Sequence, residues 1–136
     1  MADVTVMRLE EMDSLFDGVF VRARAALGVT SFGMNVENLP PHHDQYPNHD
    51  HTNDVADGQE EVYIPLKGSA TLVAGGREWE LEPGVFARVG AAEKRKIVPG
   101  ADGVQLLCLG GTPGRVYEAP PWSEAGAPPP QAPERG

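Results

Sequence analysis

Cysteine is almost missing from this sequence: among 136 residues the only one is Cys108. A single cysteine excludes a disulfide within the chain. Cys108 sits in the apolar run VQLLCLG, where a thiol is inert unless its surroundings activate it. We therefore predict that Cys108 packs as a small hydrophobic residue rather than serving as a reactive group.

Positive charge and long apolar runs are also scarce. Eleven lysines and arginines stand against 20 acidic residues, for a net charge of −9, which argues against nucleic acid or anionic membrane as a partner. No stretch approaches the roughly 20 apolar residues that cross a bilayer. The amino terminus, MADVTVMRLEEMD, is acidic where a signal peptide is basic and then apolar. These absences, and a length typical of one domain, predict a single-domain cytoplasmic protein.

Glycine and proline, by contrast, are frequent, with 16 and 13 residues. Between residues 61 and 109 they close six short β-prone runs, EVYIPLKG, SATLVAG, REWELEPG, VFARVG, RKIVPG and VQLLCLGG. Such runs, each followed by turn residues, predict short antiparallel strands joined by tight turns in an all-β sandwich or barrel. The paired glycines of VAGGREW are the clearest hairpin signal among them.

The two ends of the chain are less regular. VTVMRLEEMDSLFDG predicts a short strand followed by one helical turn, whereas GVFVRARAALGV has both β-prone and helix-prone parts and is ambiguous. VTSFGMNVENLPP predicts a strand that two prolines end. The C-terminal EAPPWSEAGAPPPQAPERG has one large apolar residue, Trp122, and little else to bury. We therefore predict a disordered proline-rich tail beyond Trp122.

Two histidines and one glutamate form the main candidate site. His49 and His51 are two residues apart, so in an extended strand both side chains point to the same face. If the strand that begins at Glu61 pairs beside them, two nitrogens and one carboxylate converge with coordination positions left open. This set suits Fe(II), Mn, Ni, Co or Zn. Histidines also cluster by chance in turn-rich loops, and spacing alone does not decide between these readings.

The order of these residues resembles the motifs of the cupin superfamily. The matching pieces are His49-Asp50-His51, Glu61 with six residues between it and Gly68, and Pro83-Gly84. The resemblance extends from about Phe32 to Leu109 and favours Glu61 over the neighbouring glutamate as the ligand. It implies a small double-stranded β-helix, or jelly-roll barrel, with a divalent metal held by His49, His51 and Glu61 inside the mouth of the barrel.

The resemblance also implies how the chain is divided. We expect a cupin barrel at residues 32–118, between an N-terminal extension at residues 1–31 and the proline-rich tail at residues 119–136. The extension is expected to pack on the barrel or on a dimer partner. Its β-prone VTV and VFV runs could add to a partner's sheet and cover an exposed edge, as the family's habit of dimerisation suggests. We therefore predict a homodimer.

The chain departs from the cupin pattern in three places, one of which is His43 where a glycine usually precedes the two histidines. The segment TNDVADGQE between His51 and Glu61 is longer than usual and could fold over the pocket. Where cupins supply a third histidine this chain has Arg95, whose guanidinium stays protonated and cannot ligate a metal. Arg95 shares a strand face with Ile97, so an inward direction is plausible.

Three roles for Arg95 remain open at this point. It could form a bidentate pair with Glu61 and replace the cation. It could leave Glu61 to the metal and bind an anionic group of a substrate. It could also extend into solvent with no role in the site.

The predicted function is that of a small cupin that binds or transforms a small metabolite. Arg95, Tyr63 and Trp79 are the predicted substrate-binding residues, although packing alone would also explain both aromatic residues. If the protein is an enzyme, the metal would serve as a Lewis acid or activate dioxygen, as in an isomerase or an oxygenase. No catalytic residue is assigned. The alternative is a non-enzymatic metabolite-binding or sensor cupin without metal, in which Arg95 pairs with Glu61.

Overall fold

The computed structural model describes residues 2–44, 46–52 and 58–130. Within these ranges most of the regular structure is β, and none of the helices is long and apolar enough to span a membrane. The strands are β1 (Ser14–Leu15), β2 (Phe20–Val21), β3 (Gly33–Leu39), β4 (Glu60–Ala74), β5 (Arg77–Leu81), β6 (Ala87–Val89) and β7 (Arg95–Gly111). The helical segments are α1 (Ala23–Leu27) and two 3₁₀ turns, Leu9–Glu11 and Pro121–Ser123.

All seven of these strands join one antiparallel sheet. Its order is β1-β2-β3-β7-β4-β5, with β6 paired to β4. The two longest strands, β4 and β7, pair in three stretches, residues 60–65 against 106–111, residues 67–68 against 104–105 and residues 70–74 against 95–99. Register shifts between the stretches, at Pro65/Lys67 and at Gly68/Ala70, mark irregularities of the kind that bend a strand. The predicted all-β jelly-roll class is confirmed.

Some of the glycines that were predicted to end strands lie within longer strands. EVYIPLKG and SATLVAG are one strand, β4, and RKIVPG and VQLLCLGG are another, β7. Gly68 and Gly103 lie at positive φ, 72° and 75°, where the two strands bulge rather than turn. A Cβ on Gly68 would collide with the carbonyl oxygen of Gly103. The prediction of separate short strands at these two places was therefore wrong, because a left-handed glycine suits a bulge as well as a turn.

Other local predictions can be compared directly with the structure. The hairpin of VAGGREW is confirmed, with Ala74 opposite Arg77 across the two glycines. The strand predicted at VTV is wrong, since residues 4–6 have no regular structure, but the helical turn after it is present at Leu9–Glu11. The ambiguous GVFVRARAALGV contains both β2 and α1.

The core lies inside the barrel, where alternate residues of the long strands point inward. Its buried members are Leu39, Tyr46, Tyr63, Ala70, Leu72, Leu81, Val89, Ile97, Val104, Leu106 and Cys108. The prediction for Cys108 is confirmed, and burial raises the pKa of its thiol well above the usual value. A second cluster of Val21, Ala23 and Val36, with Leu9 and Met12 against it, packs the N-terminal extension onto the barrel.

The proline-rich tail is bound to the N-terminal segment as far as it is described. The ring of Trp122 lies edge-on to Phe20, with their centroids 5.0 Å apart. Beyond it, Glu124 pairs with Arg24 at 2.5 Å, and the Ala127 carbonyl accepts a hydrogen bond from Arg22. The prediction of a disordered tail directly after Trp122 was therefore wrong for residues 123–127, because acceptors on the tail bind buried arginines. Residues 131–136 lie outside the described part of the chain.

Candidate metal centre

The histidine segment lies along the start of β7. The His49 N–H donates to the Arg95 carbonyl at 3.0 Å, and the Arg95 N–H donates to the His49 carbonyl at 2.8 Å. The His51 N–H donates to the carbonyl of Ala91 at 2.8 Å. Glu61 lies on β4 between partners on β6 and β7. The histidine segment therefore pairs with β7 rather than directly with the strand of Glu61, and β7 in turn pairs with that strand.

The three predicted ligands nevertheless converge. One ligating atom from each of His49, His51 and Glu61 lies within 4.8 Å of the others. The Nε2 atoms of His51 and His49 lie 2.8 Å and 3.7 Å from Oε1 of Glu61. This group is the candidate metal centre that the sequence predicted. The loop predicted to cover it, residues 52–60, includes residues 53–57, which lie outside the described chain.

The hydrogen bond on the far side of the His49 ring suits metal binding. Nδ1 of His49 lies 3.0 Å from the carbonyl oxygen of Pro47, and because a carbonyl only accepts, this network assigns the proton to Nδ1. In the neutral ring, Nε2 then carries a lone pair that faces the carboxylate of Glu61. Two acceptors face each other there, so a cation between them would satisfy both. The same Nδ1–H to carbonyl contact orients many metal-binding histidines, and the residues present fit a divalent metal.

Without a metal, a proton can take the cation's place. Burial opposes protonation of His49, but hydrogen bonds to Glu61 and to the Pro47 carbonyl outweigh it and raise the pKa of His49. Burial likewise opposes ionisation of Glu61, yet hydrogen bonds from His49 and His51 hold the pKa of Glu61 far below its usual range. Glu61 is therefore an anion at neutral pH.

Two further groups hold the carboxylate of Glu61. The Tyr63 hydroxyl donates to Oε1 at 2.9 Å, and Nη1 of Arg95 donates to the same oxygen at 3.2 Å. Nη2 of Arg95 donates to the carbonyl of Gly90 at 2.5 Å. Because the Arg95 side chain has 0% exposure, the solvent-facing role is excluded. Its contact with Glu61 uses one nitrogen and one oxygen, so the pair is not the bidentate one considered from the sequence.

A cavity of about 840 Å³ opens beside the candidate metal centre. His49, His51 and Glu61 all lie on its wall. Arg95 and Tyr63 are not among the residues that line it, although they contact Glu61. Their predicted contacts with substrate stay predictions, and the structure shows them acting on Glu61.

Trp79 lies away from this site. Its side chain is 39% exposed, and the guanidinium carbon of Arg77 sits 4.9 Å from its ring centroid. Trp79 is not part of the cavity wall that includes His49, His51 and Glu61. Its substrate-binding role stays a prediction without structural support.

The cavity wall contains charged residues that sequence reasoning missed. Arg22 lies between β2 and α1, Arg24 lies in α1, and Lys94 comes from the segment just before β7. The run VFVRARAAL contained a usable signal, since two arginines in an otherwise apolar segment must find partners if that segment is buried. The tail supplies Trp122 to the same wall.

Comparisons with known proteins show the fold. No protein-family model matches the sequence, and no curated protein matches it. A cupin protein from Bacteroides fragilis is similar in structure, with a TM-score of 0.62 at 20% identity, over 88% of this chain and 93% of that one. A cupin-superfamily sugar phosphate isomerase from Silicibacter pomeroyi has a TM-score of 0.57 at 23% identity, over 67% of this chain and 57% of its own.

The structural class follows from the barrel topology, the candidate metal centre and these neighbours. The chain has the cupin fold, and the predicted resemblance is confirmed at that level. More specifically, it is a small cupin-type barrel in which two histidines and one glutamate converge and Arg95 donates a hydrogen bond to that glutamate.

Proposed function

We propose that this protein binds one divalent transition metal through His49, His51 and Glu61 and holds a small anionic metabolite in the adjoining cavity. The observation that carries the proposal is the His49 ring, whose Nδ1 is 3.0 Å from the Pro47 carbonyl and whose Nε2 faces Glu61 at 3.7 Å. Such an arrangement prepares a lone pair and a carboxylate for the same cation.

The residues around the three candidate ligands orient Glu61 and are not themselves ligands. Arg95 and Tyr63 fix Oε1 of Glu61 from within the barrel. The guanidinium also offsets part of the carboxylate's charge, which moderates the affinity for a cation. When bound, the metal would supply a Lewis acid, and three protein ligands would leave positions open for a substrate or water. Either an isomerase or an oxygenase is compatible with this set.

Metal content of the purified protein tests the proposal. Protein prepared without chelator is expected to contain about one Fe, Mn, Ni, Co or Zn ion per chain by elemental analysis. His51→Ala is expected to weaken Co(II) binding by more than the about 10–100-fold typical of losing an outer-shell partner. His43→Ala is the matched control, since His43 lies in the same histidine-rich segment outside the converging group, and it is expected to bind Co(II) like the unaltered protein.

A metal-free binding or sensor protein is the second candidate. Arg95 already lies 3.2 Å from Glu61, and the raised pKa of His49 lets a proton balance the same carboxylate. In that case the metal content would equal that of the buffer, even after incubation with all five metal salts. Such a result would reject the metal proposal in favour of this one.

We also propose that the protein is a homodimer. Val4 and Val6 are 72% and 87% exposed, on a segment without regular structure in the described chain. Pairing this segment with a second copy would bury both valines and use its backbone hydrogen-bonding groups. Sedimentation equilibrium at micromolar concentration is expected to give twice the chain mass of 14.6 kDa. A mass equal to one chain would contradict the proposal.

A further inference from the structure

Two buried arginines stand on the cavity wall contributed by the N-terminal segment. Arg22 is 2% and Arg24 is 7% exposed, and both line the cavity that contains the candidate metal centre. Arg22 directly follows β2, whereas Glu61 is on β4, and β3 and β7 lie between these strands. Three strand spacings of about 4.8 Å separate the two strands along the sheet. The cavity wall therefore has two arginines at a distance from the candidate metal centre, with Glu37 also on the wall.

Acids from the N-terminal segment and the C-terminal tail partner these arginines. Asp13 accepts from Arg22 at 2.6 Å, and Glu124 accepts from Arg24 at 2.5 Å. Both acids are largely exposed, with side-chain exposures of 42% for Asp13 and 55% for Glu124. Because each acid is exposed to solvent, its carboxylate returns to water when another anion takes its place. Such a partner can be exchanged at little cost.

Each of the two arginines also has a hydrogen-bond donor that no described residue accepts from. The Nε atoms of Arg22 and Arg24 are buried, and neither has a hydrogen-bond partner among the described residues. A guanidinium has five N–H donors in a planar fork that matches a carboxylate or a phosphate. A buried N–H without an acceptor costs free energy that a suitable anion would recover.

We propose that Arg22 and Arg24 form an anion subsite that binds the carboxylate or phosphate group of the metabolite, and that Glu124 occupies this subsite until the metabolite displaces it. The substrate class is then a small molecule with an anionic group at one end and an oxygen donor for the metal at the other. This last point rests on the proposed metal centre, whereas the anion subsite does not. The inference moves the anion-binding role that the sequence suggested for Arg95 to two other arginines.

Isothermal titration of metal-free protein with inorganic phosphate and with succinate tests the subsite. Glu124→Gln removes the internal competitor and is expected to tighten binding of at least one anion at least threefold. Arg24→Gln is expected to weaken it at least tenfold, and Arg24→Lys by less, because lysine keeps the charge but loses the fork. Glu118→Gln and Arg115→Gln change the same charges at exposed positions outside the cavity wall and are expected to alter affinity less than twofold.

The sign of the Glu124→Gln effect separates this subsite from a purely structural contact. If Glu124 only ties the tail to the barrel, its loss would leave anion affinity unchanged or reduce it, and the proposal would be wrong. Anion binding that Arg24→Gln leaves intact would also overturn it. If circular dichroism shows that Arg24→Gln is unfolded, the anion affinities of Glu124→Gln and Arg24→Lys still test the proposed subsite. Whichever of phosphate and succinate binds more tightly identifies the anionic group.

A parallel titration with Co(II) keeps this inference apart from the metal proposal. Arg24→Gln is expected to bind Co(II) like the unaltered protein, and His51→Ala is expected to keep its affinity for phosphate or succinate. Failure of the metal centre would therefore appear only with Co(II). Failure of the anion subsite would appear only with the two anions.

Discussion

Two buried arginines, Arg95 and Arg24, each contact a glutamate, but the surroundings of the acids differ. Arg95 is wholly inside the barrel, and its partner Glu61 is 12% exposed. Arg24 is also buried, but its partner Glu124 is 55% exposed, on the tail. A buried acid that loses its cation stays unsolvated, whereas an exposed acid returns to water. Burial of the acid thus decides whether such a pair is permanent or exchangeable.

The largest expected effect comes from breaking the interior pair. Arg95→Ala leaves the carboxylate of Glu61 buried without its guanidinium, so unfolding free energy of the metal-free protein should fall by about 3–5 kcal/mol. Urea denaturation measures this change. Arg88→Ala is the control, because Arg88 pairs with Glu60 at the surface, with exposures of 67% and 41%, and should cost at most about 1 kcal/mol. Equal losses of unfolding free energy in Arg95→Ala and Arg88→Ala would contradict the distinction between buried and exposed ion pairs.

Removing the tail tests the exchangeable pair. Deletion of residues 124–136 removes three contacts with the N-terminal segment: Glu124 with Arg24, Gly126 with Asp13, and the Ala127 carbonyl with Arg22. The melting temperature is expected to fall by several degrees, because the tail loses these hydrogen bonds and Arg24 loses its acidic partner. Differential scanning calorimetry measures it, with Glu118→Gln as a control that leaves the tail in place. An unchanged melting temperature would mean that these contacts do not hold the tail.

Replacing Arg95 with histidine tests whether position 95 can supply a metal ligand. In Arg95→His the charge beside Glu61 is lost and an imidazole stands where Arg95 now points inward. The metal would gain a fourth protein ligand, so Co(II) affinity should rise about tenfold, equivalent to about 1.4 kcal/mol. Isothermal titration measures this. The same change at position 24, Arg24→His, should leave Co(II) affinity as it is, and a rise in both variants would point to a nonspecific effect.

The smallest effect is expected at Trp79, whose side chain is partly exposed and outside the cavity wall. Trp79→Phe should change unfolding free energy by at most about 0.5 kcal/mol, as is usual for surface substitutions. Phosphate and succinate affinities should change less than twofold. A larger loss of affinity by titration would support the substrate-binding role that strand alternation suggested for this residue.

Much of the site was predictable from local patterns. His49 and His51 are close in sequence, and Glu61 is linked to Gly68 by a spacing that the cupin resemblance made specific. The continuation of strand β4 through Gly68 could not be predicted in the same way. Gly68 ends a β-prone run, and the local sequence does not distinguish a turn from a bulge, because both accept positive φ. The collision that a Cβ there would make with Gly103 depends on a strand about 35 residues away.

The all-β class and the hairpin at VAGGREW could be predicted from the sequence, because periodicity and turn residues act over a few residues, and the resemblance to the cupin motifs singled out the three candidate ligands. The folded chain was needed to show that Arg95 points inward to Glu61 and that Arg22 and Arg24 line the cavity beside His49. These side chains meet because the sheet order places distant strands in one barrel. Such long-range pairing is set by closure of the whole core, which no local pattern encodes.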